Sequence, residues 1–125
     1  MIGLNNDSAL LVTGGCGFIG LNLIPFLTQR YRLVRVLDAL SAGDAQSLKH
    51  EWATFQDLAE LDFVQGDVRD RSLVEECMRG VDVVVHLAAQ SDLISSIKDP
   101  GYDYSVNVLG TFNIWKQLAR PESET

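Results

Sequence analysis

The chain has 125 residues, 46% of them hydrophobic, with ten basic and seventeen acidic residues and a formal net charge of −7. A single domain, 1–125, is expected at this length. The acidic balance argues against nucleic acid or an anionic membrane as a partner, since both attract basic surfaces. No run approaches the roughly 20 apolar residues of a membrane span, and the first seven residues lack the features of a secretion signal.

The two cysteines, Cys16 and Cys77, form no recognisable spacing pattern. They predict a reduced, cytoplasmic location. Together with His86 they make no metal-ligand spacing, so we predict no metal site. Cys16 precedes a predicted helix, where a thiol can be activated by a lowered pKa. The alternative is a neutral residue that only fills space in the turn.

Short apolar runs alternate with segments of helical periodicity. Strands are predicted at Ala9–Val12, Arg32–Asp38, Leu61–Gln65 and Val81–His86. Helices are predicted at Phe18–Arg30, at one or two places within Ser41–Glu60, at Arg71–Arg79, and after Pro100 and Gly101 to about Arg120. The alternation predicts a doubly wound, Rossmann-like α/β fold with a parallel sheet of about four strands in the order 3-2-1-4.

Some residues predict how particular helices begin, bend and end. Asp70 is a candidate N-cap of the helix at Arg71–Arg79, and Gly80 is expected to close it. Pro25 lacks the amide hydrogen of a normal helical residue and should bend the first helix.

Three glycines lie directly behind the first strand, at Gly14, Gly17 and Gly20. A glycine turn between a strand and a helix is typical of dinucleotide binding, because the helix N-terminus offers amide hydrogens to a pyrophosphate. Gly14 would allow the tight turn, Gly17 the approach of the phosphates, and Gly20 close packing of the helix. A glycine turn without a ligand remains the alternative.

Asp38 ends the second strand, where dinucleotide-binding folds place the carboxylate that accepts hydrogen bonds from the adenosine ribose. No Arg or Lys follows until Lys49, so the sequence favours NAD over NADP. The alternative is an aspartate that merely ends a strand.

The segment Thr13-Gly-Gly-Cys-Gly-Phe-Ile-Gly20 resembles the opening of the extended short-chain dehydrogenases, the family of NAD-dependent nucleotide-sugar epimerases and dehydratases. Further resemblances follow in order along the chain, closest to UDP-glucose and UDP-N-acetylglucosamine 4-epimerases. They are the segments 38–43, 66–70, 86–92, 96–100 and 106–111. The chain resembles the N-terminal, cofactor-binding half of these enzymes.

The resemblance implies roles for individual residues. Asp67 would accept a hydrogen bond from the adenine amino group, beside the backbone of Val68. Leu87, Ala88 and Ala89 would line the path of the pyrophosphate and nicotinamide ribose.

The backbone of Phe18 and Ile19 would bind the phosphates, and Asn107 would lie near the active site. Each has a structural alternative: a turn cap for Asp67, close packing for the alanines, and a solvated helix position for Asn107. His86 resembles a packing position rather than a base.

The family catalyses its chemistry with a Tyr and a Lys four residues later on one helix. The tyrosines here are Tyr31, Tyr102 and Tyr104, and none has Lys at that spacing. The sequence therefore predicts no catalytic residue, and three functions stay open. They are an NAD-binding module that is inactive alone, an enzyme fragment active with a C-terminal half, and a domain that senses NAD and NADH.

The segment 101–120 carries two apolar rows, which make a stripe wider than one buried face requires. The rows are Tyr102, Val106, Leu109, Phe112 and Trp115, and Tyr104, Val108, Thr111, Trp115 and Leu118. The fourth strand would also leave an open sheet edge. We therefore expect a homo-oligomer formed through this helix and possibly through the sheet edge; an incomplete fragment is the alternative.

Overall fold

Four short strands form the sheet, and three of them consist mainly of apolar residues. A computed structural model describes residues 7–41, 44–55 and 59–119. The strands there are β1 Ala9–Thr13, β2 Leu33–Asp38, β3 Glu60–Gln65 and β4 Val83–His86. All are parallel, in the order β3-β2-β1-β4, which confirms the predicted arrangement.

Helices follow each strand and cover both faces of the sheet. They are α1 Phe18–Leu27, α2 Ala45–Phe55, α3 Arg71–Cys77, α4 Leu93–Lys98, α5 Pro100–Tyr104 and α6 Thr111–Leu118. A π-helical segment, Ser105–Gly110, joins α5 to α6. Pro100–Leu118 is therefore one continuous helix, called here the long helix.

The central strand β1 divides two hydrophobic cores, because successive side chains of a strand point to opposite faces. Leu10 and Val12 pack with Ile24 of α1 and Leu48 of α2. Leu11 packs on the other face, in the core that α3 and the long helix cover. Burial on both faces explains why β1 reads as an unbroken apolar run.

Several predicted ends differ from the structure by one to three residues. The first helix ends at Leu27 rather than Arg30, because the Leu27 carbonyl accepts the amides of Arg30 and Tyr31 in a closing turn. The bend predicted at Pro25, inside α1, stays a prediction. The fourth strand begins at Val83 rather than Val81, whose amide donates to Met78 in the turn after α3.

The segment 41–60 holds one helix, α2, among its described residues. Asp70 caps α3 as predicted, since its carboxylate accepts the Leu73 amide at 3.1 Å. The helix itself ends at Cys77 rather than Arg79, and Gly80, with φ +74°, closes the following turn. The helix α4 was not predicted.

The long helix begins with Pro100 in its first turn and ends at Leu118. Arg120, the predicted end, lies outside the described residues. The π-helical segment was not predicted, because a periodicity of 3.6 residues cannot indicate it.

Candidate functional site

The glycine turn connects β1 to α1 and packs against the segment that follows β4. Gly14 has φ +69°, a left-handed conformation that favours glycine. Its amide donates to the Leu37 carbonyl at 2.8 Å. A Cβ atom at Gly14 would lie 2.7 Å from the Ala88 nitrogen. The tight turn predicted at Gly14 is therefore present, and the position has no room for a side chain.

The start of α1 lies close to the same turn. A Cβ atom at Gly20 would lie 2.5 Å from the Gly15 Cα, so Gly20 lets the helix approach the turn itself rather than the strand. Gly17 is the N-cap, and no side chain of the described residues caps this helix. The first turn of α1 also contains no acidic residue. An uncapped, uncompensated helix N-terminus attracts an anion.

Asp38, at the carboxyl end of β2, is only 9% exposed. Its Oδ2 accepts the Cys16 amide at 2.8 Å, and its Oδ1 accepts the Leu40 amide at 2.7 Å. Leu40 has φ +62°, an uncommon conformation for a residue with a branched side chain. Asp38 thus joins the glycine turn to the loop after β2, a second function that the sequence did not indicate.

The thiol of Cys16 lies beside Asp38 and is 1% exposed. Burial, together with the negative charge of Asp38, raises the pKa of Cys16 to about 12. The activated thiol considered from the sequence is therefore wrong, and the space-filling interpretation is supported. The helix N-terminus does not prevail because burial and the negative charges of Asp38 and Asp44 both disfavour the thiolate.

The carboxylate of Asp67 follows β3 and is engaged by Arg69. Arg69 Nη2 donates to Asp67 Oδ2 at 2.7 Å, and the Arg69 amide donates to Oδ1 at 2.9 Å. The guanidinium holds the pKa of Asp67 below its ordinary value. Asp67 therefore presents an ionised, acceptor-only group at the end of the sheet.

Thr13 and His86 hold the backbone that follows β4. The Thr13 Oγ1 accepts the amides of Leu87 at 3.1 Å and Ala88 at 3.2 Å. His86 Nδ1 lies 2.5 Å from Thr13 Oγ1, and Nε2 lies 2.9 Å from Thr111 Oγ1. His86 is thus a packing and hydrogen-bonding residue, as the sequence predicted.

Asn107 belongs to the π-helical segment and holds the next part of the same loop. Its Oδ1 accepts the Gln90 amide at 2.7 Å, and its Nδ2 donates to the Gln90 carbonyl at 3.0 Å. Its amide group is directed to the loop, and Asn107 is absent from the lining of the cleft described next.

These elements meet in one cleft of about 600 Å³ at the carboxyl ends of the strands. Eleven of the twelve predicted cofactor residues line it: Gly14, Gly17, Phe18, Ile19, Gly20, Asp38, Asp67, Val68, Leu87, Ala88 and Ala89. Seven further residues that were not individually predicted to bind the cofactor also line it: Leu37, Ala39, Ser41, Gly66, Ser91, Tyr102 and Val106. The sequence could have indicated that Tyr102 and Val106 line the cleft together, because residues four apart on a helix share a face.

No group of three or more His, Cys, Asp or Glu side chains in 7–41, 44–55 and 59–119 could hold a metal ion. Over the same part of the chain, the helices are too short or too polar to cross a bilayer.

Comparison with known proteins identifies relatives over nearly the whole chain. Residues 11–124 match the family model described as GDP-mannose 4,6 dehydratase. The dTDP-glucose 4,6-dehydratase of Mycobacterium tuberculosis is 40% identical over 114 residues, which cover 89% of this chain and 33% of that protein. The UDP-glucose 4-epimerase of Halalkalibacterium halodurans is 36% identical over 112 residues, which cover 88% of this chain and 30% of that protein.

A solved structure has the same fold. DesIV, a dTDP-glucose 4,6-dehydratase from Streptomyces venezuelae with NAD bound, superposes with a TM-score of 0.75 and 38% identity. The match covers 87% of this chain and 35% of that one. This chain therefore spans about a third of the length of the relatives it matches.

Proposed function

The chain belongs to the GDP-mannose 4,6-dehydratase family, and from this membership and the cleft geometry we propose that it binds NAD(H) across the carboxyl ends of its strands. The observation that carries the proposal is the convergence on one cleft of an uncapped helix N-terminus, a buried carboxylate and a small-residue segment. Parallel α/β sheets bind ligands at this edge, where the strand order reverses. In the order β3-β2-β1-β4 the reversal lies between β1 and β4, beside Gly14 and Ala88.

The pyrophosphate would lie over the N-terminus of α1. Gly17 lines the cleft, and a Cβ atom there would contact only the Gly14 carbonyl, at 3.3 Å, so the cleft side of Gly17 is open. The amides of Phe18 and Ile19, in the first turn of α1, would then donate to the phosphates. The residues present therefore fit a diphosphate group.

Asp38 would bind the adenosine ribose. Its two oxygens each accept one backbone amide, which fixes the carboxylate while leaving lone pairs for ribose hydroxyls. The same negative charge would repel a 2′-phosphate, so we propose NAD rather than NADP as the ligand. Asp67 and Val68 would contact the adenine at the far end of the cleft.

The segment Leu87, Ala88 and Ala89 would lie along the pyrophosphate and the nicotinamide ribose. Thr13 fixes the backbone of this segment by accepting two of its amides. The small side chains of Ala88 and Ala89 leave space for a ligand against the chain. Asn107 would act at this end through Gln90, whose backbone it holds on both sides.

Calorimetric titration tests the proposal. We expect NAD to bind with a dissociation constant in the micromolar range and NADP to bind at least about tenfold more weakly, a difference of about 1.4 kcal/mol. Absence of NAD binding at millimolar concentration would overturn the proposal.

As a second function, we propose that the chain is the cofactor domain of a nucleotide-sugar epimerase or dehydratase. The names of the relatives support this, and bound NAD would supply hydride transfer in such an enzyme. None of the three tyrosines has Lys four residues later, so we expect no turnover by these 125 residues alone.

Turnover assays with UDP-galactose and dTDP-glucose test the second function. They are run with and without an added polypeptide that carries a Tyr-x-x-x-Lys segment. Turnover only in the mixture supports the second function. Inactivity in both cases, together with a partner protein that binds only the NAD or only the NADH form, would favour a sensing domain instead.

We also propose that the protein is cytoplasmic and self-associates through the long helix. Its outer face exposes Val108, Leu109, Phe112, Trp115 and Leu118, with Trp115 67% exposed. A patch of this kind commonly marks an interface. Sedimentation at micromolar concentration should give a dimer or larger species that Trp115→Glu dissociates, and a wild-type monomer would contradict self-association.

A further inference from the structure

Arg69 connects two separate elements at the end of the cleft where Asp67 and Tyr102 form the wall. Its Nε lies 3.1 Å from Asp67 Oδ1 and 3.0 Å from Oδ2, and its Nη2 lies 2.7 Å from Oδ2. Its guanidinium carbon lies 4.9 Å from the ring centroid of Tyr102, in the geometry of a cation–π contact. Its Nη1 donates to Ser105 Oγ at 3.3 Å.

The two elements also meet directly at Val68, the residue between Asp67 and Arg69 in the chain. The buried Asn113 donates from Nδ2 to the Val68 carbonyl at 2.9 Å. A Cβ atom at Gly110 would lie 2.6 Å from Val68 Cγ2, so the long helix packs closely on the loop after β3. The long helix and the loop after β3 are therefore held together at Val68, and Arg69 adds a second connection between them.

We propose that Arg69 is a positioning residue that orients the Asp67 carboxylate and holds the Tyr102 wall, and thereby sets the preference of the cleft for a base with an exocyclic amino group. This proposal rests on the proposed binding of NAD. Arg69 suits the role because its planar fork fixes a carboxylate in two places, whereas a lysine would act as a single point charge.

The expected preference follows from the hydrogen bonds that Asp67 can still make. Its Oδ1 accepts a hydrogen bond from the Arg69 amide, and its Oδ2 accepts one from Arg69 Nη2. The Nε–H of Arg69 is shared between the two oxygens. The carboxylate has no proton to donate, since Arg69 also lowers the pKa of Asp67. An adenine amino group can donate to its remaining lone pair, whereas the carbonyl of hypoxanthine at the same place would be repelled.

Binding of NAD and of nicotinamide hypoxanthine dinucleotide to Arg69→Met tests the proposal. We expect the wild type to bind NAD about tenfold more tightly than the hypoxanthine dinucleotide. The variant should bind NAD about tenfold more weakly than the wild type, so that its affinities for the two dinucleotides become nearly equal. Each tenfold change corresponds to about 1.4 kcal/mol. Arg69→Lys should be intermediate. Arg71→Met, which removes an equal charge from the exposed start of α3, should match the wild type.

The ratio of the affinities for the two dinucleotides distinguishes a positioning role of Arg69 from a folding defect, because a variant that is merely destabilised loses affinity for both dinucleotides equally. An unchanged ratio in Arg69→Met, or tighter NAD binding once Asp67 is released, would overturn the role of Arg69 while NAD binding by the wild type stands. If the wild type binds neither dinucleotide, the proposed function itself fails, and this inference fails with it.

Discussion

His86 Nδ1 and Thr13 Oγ1 lie 2.5 Å apart, and this contact links the ends of β4 and β1 under the cleft. Thr111 Oγ1 donates to the Asn107 carbonyl at 2.7 Å, so it must accept its hydrogen bond from His86 Nε2. Nδ1 of His86 is then the acceptor, and the Thr13 hydroxyl donates to it. The network assigns a neutral His86 with its proton on Nε2.

This network predicts that acid destabilises the protein through His86. Burial lowers the pKa of His86 below its ordinary value of 6.5. The unfolded chain therefore binds the proton more readily than the folded one, and the stabilising contribution is complete above about pH 6.5 and lost as the pH falls below it. Urea denaturation between about pH 8 and pH 5 should show this loss.

His86→Gln is the matched variant, since glutamine can hydrogen-bond to Thr13 and Thr111 without titrating. Its stability should be lower at about pH 8, by about 1–3 kcal/mol for imperfect hydrogen bonds, and should depend less on pH. A wild-type pH dependence that persists unchanged in His86→Gln would exclude His86 as its source.

Gly14→Ala should destabilise the protein and abolish NAD binding. The left-handed conformation costs a residue with a Cβ atom about 1–2 kcal/mol, and the new atom would also lie within 3 Å of the Leu87–Ala88 backbone. Gly80 has a similar φ of +74°, but a Cβ atom there would meet nothing within 4 Å. Gly80→Ala should therefore show only the conformational cost and bind NAD normally. Equal effects of the two substitutions in denaturation and titration would contradict the close approach at Gly14.

Asp38→Asn should weaken both the turn and the binding of NAD. Both carboxylate oxygens accept backbone amides, so an asparagine must turn its NH₂ group toward the amide of either Cys16 or Leu40. A mismatched buried donor costs about 1–3 kcal/mol of stability, and NAD affinity should fall about tenfold. The control is Asp44→Asn, where an exposed carboxylate caps α2 by accepting the Ser47 amide. If NAD affinity is lost to the same extent in both variants, Asp38 does not bind the ribose.

Both thiols should be unreactive in the native protein at neutral pH. Burial raises the pKa of Cys16 to about 12 and also raises that of Cys77. Labelling with a thiol reagent should be at least about a hundredfold slower in the folded protein than in urea, because the thiolate is the reactive form. Rapid labelling of Cys16→Ser but not of Cys77→Ser would show that Cys77 is accessible.

The sheet order, the family and most residues that line the cleft could be predicted because their signals are local. A β-branched run such as Val83–Val85 and glycines spaced by three indicate structure without knowledge of distant contacts. The strand order is confirmed by the pairing of β1 with both β2 and β4. The resemblance to nucleotide-sugar epimerases and dehydratases is confirmed by the family match.

The features that were not predicted depend on contacts between distant residues. The π-helical segment places Gly110 against Val68. The apolar rows expected from a 3.6-residue period include positions that are exposed, such as Phe112. The contact between Arg69 and the long helix could not be predicted, since its partner Ser105 lies 36 residues away along the chain. The helix α4 is the exception, because it had a local signal that the sequence analysis did not use: the carboxylate of Asp92 accepts the Ser95 amide three residues later as its N-cap.

The central claim, that this cleft binds NAD through the glycine turn, is tested most directly by amide chemical shifts during an NAD titration. We predict saturable shifts of the Gly17, Phe18 and Ile19 amides, with smaller shifts at Leu40 and Ala88. A second groove, between α1 and α2, is lined by residues that include Asn22 and His50 and provides an internal comparison. Shifts confined to that groove, or none at millimolar NAD, would contradict the account.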